Sequence, residues 1–205
     1  MRRFEESFAL IYYNYSERKS TMKPTEQLVE EHESITVMLD ITAKVCDDLE
    51  SGQEVPSDHL EQIVEFIREF ADRCHHRKEE DLLFSTMEEA GFSSEEGPIA
   101  VMLSEHTVGR DYVKKMAEAA TSYREGDRKV IPTFVDNARG FVYLLRDHIY
   151  KENNILYPMA DSRLTDEDQS KLEREFQRVN EESIGLEKIE YLLGLKDKLK
   201  SVYRA

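Results

Sequence analysis

The sequence predicts an all-α protein: an up-down-up-down antiparallel four-helix bundle followed by a further C-terminal helical segment. Three observations carry that expectation. Only 8 Gly and 5 Pro interrupt 205 residues, so elements are long and turns few. Four segments place apolar residues at spacings of three and four, the buried face of a helix. Turn residues separate those segments by short connections, the connectivity of an antiparallel bundle.

The first segment opens at Pro24-Thr25, with Thr25 as expected N-cap and Glu26 in the first turn, and closes at Ser51-Gly52. Its stripe is Leu28, His32, Ile35, Leu39, Thr42, Cys46 and Leu49. The second opens near Pro56-Ser57-Asp58, where Asp58 and Glu61 have the spacing of a capping pair, and runs to about Gly91. It presents Leu60, Val64, Ile67, Ala71, His75, Glu79 and Leu82. The third, from Pro98 to Gly126, presents Ile99, Met102, His106, Gly109, Val113, Met116, Ala120 and Tyr123. The fourth presents Phe134, Ala138, Phe141, Leu145, His148, Glu152, Ile155 and Met159. A fifth stretch starts at Thr165 with an acidic first turn and carries Leu172, Phe176 and Val179. Further apolar residues, Leu186, Ile189, Leu193, Leu199 and Val202, suit a bundle cover or a homodimer contact. The expected organisation is an N-terminal extension over 1–24, a bundle domain over 25–162 and a C-terminal helical segment over 163–205. Met22 would also serve as a start.

Composition narrows the function. A formal net charge of −15 repels phosphate backbones and anionic lipid, so no nucleic acid and no membrane are expected as partners. No apolar run reaches the roughly 20 residues of a membrane span, and no signal-peptide core is visible, so the expected location is cytoplasmic. Two cysteines, Cys46 and Cys74, are too few for a disulfide framework and read as buried small hydrophobes.

Six polar residues occupy positions where the stripes call for apolar ones: His32, His75, Glu79, His106, His148 and Glu152. Burying such groups without partners costs several kcal/mol, so they are normally paired or metal-bound. His32 lies 18 residues before Glu50 and His75 lies 17 after Asp58. In antiparallel helices both then fall about 26 Å from the shared turn. His106 and His148 stand 20 and 17 residues from Gly126 and Ile131, at a similar depth. Glu79 and Glu152 follow their histidines by four and share their faces. The segments also repeat: His75-His76-Arg77-Lys78-Glu79 parallels His148-Ile149-Tyr150-Lys151-Glu152, and Glu31-His32 parallels Glu105-His106. Two similar hairpins, each with two imidazoles and a carboxylate, form a two-metal site. His76 and Glu80 repeat the spacing on an adjacent face, and His76 is expected to point away. His59 is expected at the solvated surface. Tyr150 and Tyr157 are expected to pack at the core or rim. Thr36 and Glu105 are the candidate outer partners of the histidines.

This pattern, His, then H-x-x-x-E, then His, then H-x-x-x-E, resembles the hemerythrin-like HHE cation-binding family over about residues 25–160. The resemblance implies two non-haem iron ions with an oxo or hydroxo bridge. His32 and His75 would serve one iron, His106 and His148 the other, and Glu79 and Glu152 would bridge. Oxygen-carrying hemerythrins add a histidine four after the third-helix one, where this chain has Arg110, and a carboxylate five after the fourth-helix one, where it has Asn153. The pattern is closer to the iron-centre repair proteins, although those carry an N-terminal segment with cysteines and residues 1–24 contain none. The resemblance implies a small diatomic or peroxide ligand: a protein that binds or senses O2, NO or reactive species. Alternatives are an enzyme of iron-sulfur cluster repair or of NO or peroxide reduction, and iron storage.

Overall fold

A computed structural model describes residues 22–204. Residues 1–21, most of the expected N-terminal extension, lie outside it. Among the described residues the chain is all-helical, with no strand. Helix α1 is Pro24–Glu50. Helix α2 spans 57–89 and is composite: α-helical over Ser57–Phe66, π-helical over Ile67–His76 and Glu79–Phe84, then α-helical over Ser85–Glu89. Helix α3 is Pro98–Arg124. Helix α4 spans 131–163, with a π-helical turn at Glu152–Leu156 between Ile131–Lys151 and Tyr157–Arg163. Helix α5 covers Asp166–Arg178 and continues π-helically over Val179–Ile184. Helix α6 is Leu186–Tyr203.

Local chemistry explains the boundaries. Proline occupies the first or second position of α1, α3 and α4, where its missing N–H has no partner to lose. The N-cap of α1 is Lys23, two residues earlier than Thr25, and Glu26 accepts from the Lys23 backbone N–H at 2.9 Å. The Thr25 hydroxyl instead donates to Asp161 at the far end of α4. Helix α2 begins at Ser57 without a side-chain cap. Helix α5 has a capping box in which Thr165 and Asp168 satisfy each other's backbone N–H groups. Gly52 and Gly126 follow α1 and α3 with φ of 76° and 98°, the left-handed region that other residues avoid.

Ion pairs report helix directions. Asp47 and Glu50 of α1 meet Arg139 of α4, Asp40 meets Arg146, and Lys23 meets Asp161, so α1 and α4 run antiparallel. Glu61 of α2 meets Arg124 of α3, and Asp72 and Glu80 meet Arg110, which makes that pair antiparallel too. Helix α6 lies on α1 and α2: Lys188 pairs with Glu65, and the Tyr203 hydroxyl meets His59 Nδ1 at 2.6 Å. His59 is therefore half-buried under the C-terminal helix, not a freely solvated residue.

Among the described residues two apolar clusters fill the interior. The larger joins the lower parts of α1, α2, α3 and α4 with Ile189, Leu192, Leu195, Leu199 and Tyr203 of α6. The smaller gathers Leu28, Leu83, Phe84, Met87, Ile99, Met102, Leu156, Tyr157 and Ala160 with Leu172 and Phe176 of α5. The C-terminal segment thus covers the core of its own chain, with its Leu192 and Leu195 buried and Leu193 only half-buried. The expected polar layer lies between these clusters.

The stripes of α1 and α3 are buried as the periodicity predicts. Those of α2 and α4 slip by one residue at their ends. Leu82 is only half-buried, whereas Leu83 and Phe84 are core. Ile155 is 47% exposed, whereas Leu156 is core. Each slip coincides with a π-helical segment, whose wider turn displaces the face that follows.

Candidate metal centre

All six predicted residues are buried and gathered in one layer: His32, His75, Glu79, His106, His148 and Glu152. They form two overlapping groups whose ligand atoms lie within 4.8 Å of one another. One contains His32, His75, Glu79 and Glu152; the other contains His106, His148 and Glu79, together with His76. Glu79 belongs to both. Glu152 also faces both halves, with one oxygen 3.2 Å from His32 Nε2 and the other 3.0 Å from His148 Nε2. His106 Nε2 stands 2.9 Å from His148 Nε2.

The outward face of each ring explains this convergence. Carboxylates and amide oxygens only accept, so a ring nitrogen facing one carries the proton and its other nitrogen offers a lone pair. His32 Nδ1 donates to Asn153 at 2.8 Å, His75 Nδ1 to Glu31 at 3.1 Å, His106 Nδ1 to Glu80 at 2.6 Å, and His148 Nδ1 to Glu105 at 2.8 Å. Every Nε2 is thereby directed inward, the arrangement that metal-binding histidines use. Glu105 fulfils its expected role, whereas Thr36 is solvent-exposed. Asn153, at the position where the resemblance calls for a ligating carboxylate, is an outer partner of His32.

Two of these partners are themselves held by lysines in a repeated pattern. Lys78 donates to Glu31, the partner of His75, and Lys151 donates to Glu105, the partner of His148. The sequence repeat His-x-x-Lys-Glu, matched to Glu-His on the neighbouring hairpin helix, therefore builds the same lysine-glutamate-histidine chain twice. The copies differ in burial: Lys78 lies beneath Phe176 of α5, 1% exposed, whereas Lys151 is 24% exposed.

Tyr157 goes further than rim packing. Its ring stacks on His32, and its hydroxyl donates to Glu79 at 2.6 Å and lies 3.5 Å from His32 Nε2. Tyr150 is 63% exposed. Both cysteines are buried as free thiols, and burial pushes the Cys46 thiol up to about 12.

His76 corrects the sequence reading. It does not point away but is 6% exposed, its ring stacked on His106 with centroids 3.8 Å apart. The π-helical turn that ends at His76 brings adjacent histidines to the same interior. A cavity of about 260 Å³ between α2, α3 and α4 reaches His76 past Asp72 and Arg110.

Electrostatics bear on what the layer can hold. Burial, and secondarily the neighbouring His32, pushes His75 down to about 4, and burial lowers His106 and His76 as well. These imidazoles are neutral near pH 7 and available as ligands. Burial and the adjacent Glu152 push Glu79 well above the usual carboxylate range. Burial opposes ionisation of Glu152 too, but His148 and His32 outweigh it and hold Glu152 well below that range. His148 is raised because Glu152 outweighs the effect of burial. The interior thus needs positive charge to accommodate its two carboxylates.

His75 Nε2, Glu79 Oε2 and both carboxylate oxygens of Glu152 are fully buried without hydrogen-bond partners among the described residues. Such atoms are rare in folded proteins and demand an explanation. All four belong to the converging set, and imidazole with carboxylate is a donor set suited to iron, zinc or manganese. The residues fit a pair of cations.

Helices presenting imidazoles and carboxylates to one buried layer define a helical protein with His/Glu clusters able to hold metal. Residues 23–160 match the hemerythrin HHE cation binding domain, and the chain belongs to that family. It is 22% identical over 142 residues to the uncharacterized proteins Rv1995 of Mycobacterium tuberculosis and Mb2018 of Mycobacterium bovis, covering 69% of this chain and 55% of each relative. It is 36% identical over 89 residues to the iron-sulfur cluster repair protein YtfE of Yersinia pestis, covering 42% of this chain and 40% of that protein. The chain therefore spans about half the length of the curated relatives it matches. No solved structure matches it. Among the described residues no helix is long and apolar enough to cross a membrane.

Proposed function

We propose that this chain is a non-haem di-iron protein that binds or senses O2, NO or reactive oxygen and nitrogen species in the cytoplasm. Its scaffold is an up-down-up-down antiparallel four-helix bundle over residues 25–162, with a C-terminal helical segment over 163–205. His32 and His75 would serve one iron and His106 and His148 the other, with Glu79 and Glu152 as the carboxylates that would be shared between them. The observation that carries this reading is the set of four orphaned, fully buried donor atoms on His75, Glu79 and Glu152, around which the other imidazole nitrogens converge.

Bound iron would supply reversible one-electron chemistry and Lewis acidity toward a small ligand. The chain supplies the rest. Outer carboxylates, and the Asn153 amide oxygen at His32, keep the imidazole protons on Nδ1 and the lone pairs on Nε2. The flanking apolar clusters exclude water, which strengthens the charge interactions inside. Tyr157 holds a proton 2.6 Å from Glu79 Oε1, positioned to hydrogen-bond a carboxylate or an incoming small ligand. Purification without air, followed by iron analysis and optical titration with O2, NO and peroxide, tests the reading. Two irons per chain and a ligand-dependent absorption change are expected. An iron-loaded protein whose spectrum ignores all three ligands would exclude binding and sensing.

A second reading, iron donation to damaged iron-sulfur clusters, is favoured by the similarity to YtfE. Failure of the iron-loaded chain to restore a damaged cluster in reconstitution would dispose of it.

A further inference from the structure

We propose that His76 is a metal ligand: a third imidazole for the position served by His106 and His148, delivered from α2 by its π-helical turn. This inference rests on the two-metal reading above and adds a seventh protein ligand to it.

Four observations converge. The ligand atom of His76 lies within 4.8 Å of those of Glu79, His106 and His148. Its ring stacks on His106 at 20° between planes and meets His148 edge-on at 6.0 Å, so the three imidazoles line one small volume. Its Nδ1 donates to Asp72 at 3.3 Å, leaving Nε2 as its available lone pair. All five histidines of the layer therefore carry an oxygen acceptor on Nδ1, the outer-partner signature of ligating imidazoles. His59, outside the layer, meets a tyrosine hydroxyl instead.

Arg110 ties the arrangement together. Its guanidinium bonds Asp72, the partner of His76, at 2.8 Å and Glu80, the partner of His106, at 2.7 Å. One side chain thus positions the outer carboxylates of two adjacent imidazoles. The His76 imidazole comes from the facing helix and the arginine braces it. A consequence is asymmetry: one position has three imidazoles and the other two, so the His32–His75 position, beside Tyr157, keeps more open coordination.

The test uses cobalt(II) added anaerobically to the full chain. Wild-type protein should bind two cobalt ions and show five hyperfine-shifted, exchangeable ring N–H signals in its NMR spectrum, one per ligating imidazole. His76→Gln should lose one signal and bind its second cobalt about ten-fold or more weakly, with a changed visible band. Four signals in the wild type would overturn the proposal without any variant. Two cobalt ions bound by His76→Gln with wild-type affinity and an unchanged band would overturn it as well. Wild-type protein that binds no cobalt or iron would instead refute the two-metal reading itself.

Discussion

Replacing Lys78 by methionine separates the structural from the metal-tuning role of the twin lysine-glutamate-histidine chains. Lys78 and Glu31 are 1% and 6% exposed, so the substitution removes a cation from beside a buried carboxylate. Breaking one partner of a buried pair costs about 3–5 kcal/mol. In a domain of this size each kcal/mol shifts the melting temperature by about 2–4 °C, so the metal-free protein should melt about 6–20 °C lower. The matched change, Lys151→Met, breaks a pair whose members are 24% and 18% exposed. There the loss should be about 1 kcal/mol or less. Both variants loosen the outer partner of an imidazole proposed as a ligand, so both should weaken metal binding about 10- to 100-fold. The assays are thermal unfolding of the metal-free chain by circular dichroism and competition titration with a chelating dye. Equal melting temperatures for the two variants would refute the burial argument. Unchanged metal affinity in both would refute the role given to Glu31 and Glu105.

Three other outcomes are expected. Glu79 reaches both halves of the layer, so Glu79→Ala should lose both metals whereas His148→Ala loses about half; equal residual stoichiometry by elemental analysis would contradict the shared-carboxylate geometry. Tyr157→Phe should keep both metals and lose about 0.5–1.5 kcal/mol in urea unfolding of the metal-free chain, the net worth of an ordinary hydrogen bond; loss of metal would make Tyr157 a ligand. Leu192→Ala, at a fully buried position of α6, should destabilise the chain by about 2–5 kcal/mol; unchanged unfolding would show that α6 is not docked in the core.

How much was legible in the sequence depended on helix period. Where α1 and α3 keep 3.6 residues per turn, every stripe residue from Leu28 to Leu49 and from Ile99 to Tyr123 is buried as expected. The depth argument that layered His32, His75, His106 and His148 needed only helical rise and short turns, and it holds. The π-helical segments broke the arithmetic. They carry no residue signature, since their geometry is set by what the helix packs against, and a fixed period assigns Leu82 and Ile155 to positions that Leu83 and Leu156 occupy. The same error turned His76 outward. A signal for it did exist in the neighbouring acids: Asp72 four residues before His76 repeats the outer-carboxylate logic on one helix. Lys78 was invisible for a different reason. A lysine within Arg77-Lys78-Glu79-Glu80 reads as a solvated charge, and only α5, folding back with Phe176 over it, makes it interior. Its equivalence with Lys151 in the internal repeat was the available clue.

The most direct test of the central claim is the metal stoichiometry of the full chain purified and loaded with iron(II) under argon, counted by elemental analysis and resolved by Mössbauer spectroscopy. Two irons per chain are expected, in two distinguishable environments because Tyr157 and His76 lie on opposite halves. A chain that retains no iron, or a single iron that Glu79→Ala leaves in place, would contradict the account.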